Sequence, residues 1–504
     1  MAFAKAVNVS QFNSSDNTWD AIVVIAASID AIEDDTLRAA VSSAAQVDGR
    51  IASSCNLIIT EAAPGKRLIY SPTGALTRYF DDVRRFHDAA QHATNLIIDA
   101  GVVSPLLMVY ADSDERYSKA AEVAFLAINQ TAWQPLEARE SLVEDEIEPL
   151  TQIGMLNDVD CHWLNAAEAG CRVARDICGT NPERMAPPLL ADYCVEALSG
   201  SSVKVEVVSS QEQLKSEYPL LFSVARASEQ VARHNARVIT MTYEGKGEIK
   251  HTLYLAGKGV TFDTGGADLK TDGHMAGMSR DKGGAAAVAG FMKMLADLQP
   301  EGIKVVAEIG AVRNSIGSEA FVSDEIITSR AGVRVRIGNT DAEGRLVLSD
   351  VMTHLLELAE NDANAEFFSV ATLTGHAARA VGPYTALVEN GKARSQNSAH
   401  MLSAAGDLWA DPAEVSRSRR EDFDFVKPRT KADDILSSNN AASAVTARGH
   451  QFPMAFLVLA SGLDKHDVAY THVDIAGSGV ESGDWQHGKP TAAPVMMLAG
   501  RYLN

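Results

Sequence analysis

No run in the 504 residues approaches the roughly 20 consecutive apolar side chains that a membrane-spanning helix needs, so an integral membrane protein is not expected. The opening stretch, MAFAKAVNVSQFNSSDNTWD, has no apolar run behind a basic flank, which speaks against an export leader. Cysteine is scarce: Cys55, Cys161, Cys171, Cys178 and Cys194 are an odd five in a long chain, and none forms a C-x-x-C pair. A disulfide framework is excluded, and reduced thiols in a cytoplasmic protein are expected. Basic charge is also in deficit, with 45 Lys and Arg against 66 Asp and Glu, a formal net charge of -21. Nucleic-acid backbones and anionic membrane surfaces need clustered cations, so neither is expected as a partner. The sequence contains no G-x-S-x-G elbow and no internal repeat. Cys171 and Cys178, seven apart on an expected helix, suggest packing more readily than nucleophilic chemistry.

What is present is a globular composition, 46% hydrophobic and 22% charged, in a chain long enough for two or more compact units. The first part alternates apolar runs such as Ala21 to Ala27 and Leu106 to Tyr110 with an amphipathic stretch from Asp81 to Ile98, the pattern of an α/β unit. Acidic residues gather from Glu137 to Glu148, and an Ala-rich helix is expected from Trp163 to Ile177, followed by Gly179 and Pro182. The expected organisation is an N-terminal α/β domain over 1–162, a linking helical region over 163–182 and a C-terminal catalytic domain over 183–504. In the last, strand candidates lie at Val238 to Tyr243, Thr252 to Ala256, Ile303 to Ile309, Phe367 to Leu373 and Val468 to Ile475. Helical patterns at Gly284 to Leu298, Leu346 to Glu360 and Met454 to Leu463 separate several of them. The fold class expected is therefore two-domain α/β, the larger domain having a sheet flanked by helices.

Chemistry concentrates in two places. The run Gly257-Lys258-Gly259-Val260-Thr261-Phe262-Asp263-Thr264-Gly265-Gly266 is expected to begin where a strand ends, and Lys270 and Asp281 follow it. The second, Asn339-Thr340-Asp341-Ala342-Glu343-Gly344-Arg345, precedes a helical pattern. If it is extended, Asp341, Glu343 and Arg345 share a face, and carboxylates that converge require a cation to offset their repulsion. Taken singly, each acid is more readily a solvated loop residue or a helix cap. Together, four carboxylates and two lysines beside strand ends have no economical structural account, because burying such charges without metal costs several kcal/mol each.

GKGVTFDTGG, MSRDKGGAAAV, NTDAEGRLVLSD and ATLTG resemble, in order and spacing, the motifs of the leucine aminopeptidase (cytosol aminopeptidase) family, from about Ala167 to the C-terminus. The resemblance implies a homohexamer that removes leucine and other, large residues from the free N-termini of peptides, using hydroxide held by two divalent ions, zinc or manganese. It implies that Asp263 and Glu343 are shared by the two ions, with Lys258 and Asp281 completing the tighter site and Asp341 the more exchangeable one. It further implies that Lys270 stabilises the carbonyl oxygen and that Arg345 holds a bicarbonate ion serving as proton shuttle. Met278, Asn339, Thr372, Leu373, Gly375 and Ala476 would meet the substrate.

Three positions depart from the family pattern: Ser279, Lys282, expected to face solvent, and His376. None removes a ligand. Ser478 and Gly479 stand where bulkier apolar residues can occur, which suggests a wider pocket. His472 and Asp474, two apart on an expected strand, suggest structural hydrogen bonds more readily than ligation. A competing reading is a non-catalytic hexameric binding protein that keeps the fold; against it, every family position for metal and proton transfer has its counterpart here. A dinucleotide site at Gly477 to Gly483 is weaker still, since too little chain follows for a βαβ unit.

Overall fold

The computed structural model of the chain describes residues 3–143, 147–360, 362 and 365–503; of the acidic stretch near Glu137, residues Glu144, Asp145 and Glu146 lie outside it. The chain divides into two compact units, Met1–Ala169 with Asp407–Ala410, and Gly170–Gly406 with Asp411–Asn504. The helix Cys161–Gly179 begins in the first and ends in the second.

The first unit is built on β1 (Lys5–Asn8), β2 (Ala21–Ala26), β3 (Asn56–Ile59), β4 (Arg67–Pro72), β5 (Pro105–Tyr110) and β6 (Gln152–Met155), in the sheet order β1-β6-β5-β2-β4-β3. Only β3 runs antiparallel to its neighbour. All six residues of β2, AIVVIA, are buried, as a parallel strand covered on both faces requires. The helices Asp35–Val47 and Arg84–Asp99 make the crossovers, and Trp409 stacks on Trp163 at 4.5 Å between ring centroids.

The second unit contains β7 (Lys204–Val208), β8 (Arg237–Glu244), β9 (His251–Asp263), β10 (Ile303–Asn314), β11 (Ile326–Thr328), β12 (Arg334–Arg336), β13 (Ala365–Ala371), β14 (Thr385–Glu389), β15 (Ala413–Arg417), β16 (Ile435–Leu436) and β17 (Ala469–Asp474). Eight of these form one mixed sheet in the order β15-β14-β17-β13-β9-β10-β8-β7; the other three form a small sheet. Side chains alternate across β9. Tyr254, Ala256 and Val260 join an apolar core with Leu346, Val347, Val351 and Leu355 of the helix Glu343–Leu358, whereas Gly257 lies against Ala285 of the helix Gly283–Leu298. Helices therefore cover both faces at the centre of the sheet.

The register corrects two sequence expectations. The glycine-rich run lies within β9 and does not follow it, because β10 pairs with β9 as far as Asp263↔Asn314 and β13 pairs on the other side as far as Gly257. Ladder bonds on both flanks override the low strand preference of glycine. The segment from Asp341 to Arg345 is not extended: Asp341 lies in a turn and Glu343 is the first residue of a helix. Residues Gly477 to Gly483, after β17, form turns and open no long helix.

Candidate metal centre

Four neighbouring parallel strands, β17, β13, β9 and β10, finish at one edge of the large sheet, the edge where ligands collect in α/β folds. Asp263 ends β9, Asn314 ends β10, Thr372 follows β13 and Asp474 ends β17. Asp281 lies two residues before the helix Gly283–Leu298, and Glu343 opens its own helix, where the positive end of the peptide dipoles favours a carboxylate. Two strands, two helix starts and one turn thus bring together residues far apart in sequence.

Carboxylate oxygens of Asp263, Asp341 and Glu343 lie within 4.8 Å of one another. Lys258 Nζ is 2.7 Å from Asp281 Oδ1 and 2.9 Å from Glu343 Oε1, and it donates to the Thr372 carbonyl at 3.0 Å. Lys270 Nζ lies 2.9 Å from Asp263 Oδ2 and also pairs with Asp341. Lys258, Asp263, Asp281 and Glu343 are buried, whereas the Asp341 side chain keeps 36% of its exposure.

Charge in this cluster is unbalanced: four carboxylates face two ammonium groups. Burial alone would lower both lysines, but Asp281, Glu343 and Asp263 around Lys258, and Asp263, Asp341 and Glu343 around Lys270, outweigh it and hold both above the ordinary value. The excess appears on the acids. Burial, with Glu343 and Asp263 nearby, raises Asp281 well above the carboxylate range against the pull of Lys258. Asp341 is pushed up to about 7 by the burial of its surroundings and the charge of Asp263. In addition, Asp281 Oδ2 and Glu343 Oε2 are buried with no hydrogen-bond partner. Orphaned acceptors and a surplus of negative charge are the two features that divalent cations would satisfy, so the donor set fits such ions.

Arg345 extends from the same helix start as Glu343 but pairs directly with neither Glu343 nor Asp341 among the described ion pairs. Its Nη1 donates to the Ser437 carbonyl at 2.9 Å, its Nε has no partner, and its guanidinium lies 5.1 Å from the Phe452 ring centroid. Burial brings it down to about 10, so it remains a cation at neutral pH. The planar fork retains donors for an anion.

Asn314 and Asp268 support the cluster without any signal in the sequence, whereas His472 and Asp474 make structural hydrogen bonds of the kind their spacing suggests. Asn314 Nδ2 donates to Asp263 Oδ1 at 2.7 Å, and the Gly265 amide donates to the same oxygen at 2.8 Å. Asp268 and Thr340 clamp the two motif loops together: the Thr340 amide donates to Asp268 Oδ2 at 2.7 Å, and the Asp268 amide donates to Thr340 Oγ1 at 2.8 Å. Asp474 accepts from the Leu373 amide at 3.1 Å, from Thr374 Oγ1 at 2.6 Å and from the Ala476 amide at 3.1 Å. It thereby holds two segments, the one after β13 and the one after β17, which carry Leu373 and Ala476 of the residues expected to meet substrate. His472 makes a 2.8 Å bond between Nδ1 and the Ser369 hydroxyl, and burial brings its ring down to about 3.

Of the expected substrate residues, Thr372 donates from Oγ1 to Asp281 Oδ1 at 2.7 Å, and Asn339 accepts from the Asp341 amide at 2.7 Å. Met278 opens a short turn ending at Arg280, and Gly375 opens the helix Gly375–Val381. Lys282 does not face solvent. It is fully buried, and its ammonium donates to the Thr180 carbonyl at 2.9 Å and to the Ser279 carbonyl. The reason is its place immediately before the helix Gly283–Leu298, where the ammonium reaches the Ser279 carbonyl of the preceding turn and the Thr180 carbonyl just beyond the distant helix Cys161–Gly179. His376 is held by His450, with the two Nδ1 atoms 2.8 Å apart. No disulfide joins any of the five cysteines among the described residues, and burial raises Cys178, the opposite of an activated nucleophile.

Gly344 packs against the Lys258 side chain so closely that a Cβ there would lie 2.5 Å from Lys258 Cε and 2.7 Å from Nζ. Gly344→Ala is therefore expected to force Lys258 off Asp281 and Glu343 and to lower unfolding free energy by about 1–3 kcal/mol. Urea denaturation measures this, and an unchanged midpoint would contradict the packing described.

Residues 172–499 match the family model described as cytosol aminopeptidase family, catalytic domain. A Caenorhabditis elegans protein provisionally named as an aminopeptidase is 42% identical over 438 residues, covering 84% of this chain and 82% of that one. A Chlamydia muridarum protein provisionally named as a cytosol aminopeptidase is 31% identical over 405 residues, covering 78% and 76%. In fold, the chain resembles the bottromycin maturation enzyme BotP in complex with Mn, with a TM-score of 0.77 at 20% identity over 95% of this chain and 98% of that one. The family match takes in every strand of the large sheet and both motif loops, and it is joined by a relative of high identity over most of the length. The chain belongs to the cytosol aminopeptidase family.

Proposed function

We propose that this protein is a metal-dependent aminopeptidase that removes leucine and other large residues from peptides with a free N-terminus. Family membership supports the reaction class, and one observation carries the chemistry: a buried cluster of four carboxylates with orphaned oxygens at converging strand ends. In this reading Lys258, Asp263, Asp281, Asp341 and Glu343 would hold two divalent ions, zinc or manganese. When bound, such ions supply Lewis acidity, lowering the pKa of water and polarising the scissile carbonyl.

The chain's own residues do the rest. Asn314 and the Gly265 amide fix the Asp263 carboxylate, leaving its other oxygen to the site. Lys258, enclosed and tied to Asp281, belongs to the tighter position, whereas the partly exposed Asp341 belongs to the exchangeable one. As a ligand Lys258 must be neutral, and an adjacent dication favours the amine. Lys270 keeps its proton and faces the developing negative charge on the carbonyl oxygen. Arg345 holds a small planar anion, bicarbonate, that relays the proton. Thr372, Leu373, Gly375, Asn339, Met278 and Ala476 orient the peptide and take its first side chain. A homohexamer in the cytoplasm completes the reading; no helix among the described residues is long and apolar enough to cross a membrane.

The test is hydrolysis of a leucyl amide reporter before chelation, after it, and after manganese or zinc is restored, beside the N-acetylated reporter. Cleavage of the free-amine reporter alone, lost on chelation and regained with metal, is the expected result. No cleavage at full metal occupancy would overturn the reading and favour a non-catalytic binding protein.

A further inference from the structure

The turn Met278–Arg280 leads directly into Asp281 and is tied to a distant loop. Arg280 donates to the Gln486 carbonyl at 3.4 Å and to the Gly488 carbonyl. That loop is closed on itself by the Gly488 amide on the Asp484 carbonyl at 2.8 Å and the Glu481 amide on the Lys489 carbonyl at 2.9 Å. Trp485 lies inside it. At one end of the residue, Gly277, in the left-handed region at φ 85°, sits so close that a Cβ there would lie 2.7 Å from the Trp485 carbonyl carbon and 2.9 Å from its Cβ. At the other end, a Cβ built on Gly479 would lie 3.5 Å from Cη2 at the tip of the indole. The ring spans from the corner before Met278 to Gly479.

The tip of the ring joins an apolar strip. The same Cβ position at Gly479 is 3.8 Å from Ile475 Cδ1, and the corresponding position at Gly283 is 3.3 Å from Ile475 Cδ1 and 3.0 Å from the Thr372 methyl. The hydroxyl of Thr372 holds Asp281. The space beside Gly479 is thus bordered by the indole tip and Ile475, and the space beside Gly283 by Ile475 and the Thr372 methyl, so apolar groups are set out between the carboxylate cluster and the indole. The space that glycine leaves at 479 is filled by an aromatic edge supplied six residues later, and Trp485 is only half-buried.

We propose that Trp485 is a specificity-determining residue and forms a wall of the pocket for the first side chain of the peptide, suiting that pocket to large apolar residues. This rests on the aminopeptidase reading above. An indole offers a broad, rigid surface at little entropic cost, and leucine, methionine or phenylalanine covers it where alanine does not reach.

The experiment compares kcat/KM for leucyl and alanyl amide reporters in the wild-type metalloenzyme, Trp485→Ala and Trp485→Phe. The leucine-to-alanine ratio is expected to fall at least about tenfold in Trp485→Ala and to stay within about threefold in Trp485→Phe. An equal fall for both reporters, or an unchanged ratio, overturns the proposal in favour of a loop-holding role. Binding of free leucine, read by intrinsic fluorescence, needs no turnover. A leucine-dependent change in the wild type that is lost in Trp485→Phe supports the wall, and no such change overturns it. A protein that cleaves neither reporter yet shows this signal would fail as an aminopeptidase while retaining the pocket.

Discussion

Asp263→Ala is expected to lose both bound metal and activity, with turnover at least about a hundredfold down, because it removes more than a single transition-state donor. Asp263 occupies the central position in the cluster. One oxygen is fixed by Asn314 and the Gly265 amide; the other faces Lys270 and lies among the oxygens of Asp341 and Glu343. Asp281, tied to Lys258 and Thr372, and Glu343, fixed at a helix start, are not free to move into its place. The substitution also leaves Asn314 and Lys270 facing an apolar methyl. Elemental analysis should show metal content per subunit well below that of the wild type, with added manganese or zinc restoring little. Asp263→Asn separates charge from shape: it can keep one acceptor oxygen in place, so partial metal retention with lost turnover is its expected outcome. Near-normal turnover in Asp263→Ala would overturn the metal assignment altogether.

Four of the five proposed ligands, Lys258, Asp263, Asp341 and Glu343, stand out in the sequence because they fall in two dense local runs, whereas Asp281 lies beyond the first run and is assigned as a ligand only through the family resemblance. What was not legible depends on proximity without sequence neighbourhood. Asn314 supports Asp263 only because β10 pairs with β9 in a register that sets the two opposite each other, and nothing near residue 314 signals this. Ser437 meets Arg345 through a backbone carbonyl, which carries no side-chain signature at all. Two errors had local causes. Glycines at 257 and 259 suggest a loop, but pairing with β10 as far as Asp263, and with β13 as far as Gly257, makes the strand. The alternation in Asp341-Ala342-Glu343 suggests an extended chain, although an acid in the first turn is equally a helix-start signal, and the apolar pattern from Leu346 onward decides for the helix. Lys282 shows the limit of a composition rule: lysine is rarely buried, but the Ser279 carbonyl before its own helix and the Thr180 carbonyl after a distant one gave its ammonium partners.

Lys270→Ala is expected to reduce kcat by about a hundredfold or more while metal content stays at the wild-type level. The two lysines of the cluster are alike in being protonated among carboxylates, yet their surroundings differ. Lys258 is enclosed, held by Asp281, Glu343 and the Thr372 carbonyl, and has no room to reach a substrate. Lys270 follows a loop, retains 15% of its side-chain exposure and touches Asp341, the most open acid of the group. A cation at the mouth of the cluster can approach a carbonyl oxygen as charge develops there, and a group that acts mainly on the transition state lowers kcat with little change in KM when removed. Lys270→Arg, which keeps the charge but changes the geometry of its donors, is expected to retain part of the rate. If Lys270→Ala instead lost metal, the residue would serve to hold the carboxylates in place. If KM rose with kcat unchanged, it would bind substrate without favouring the reaction, and the donor role proposed for it would fall.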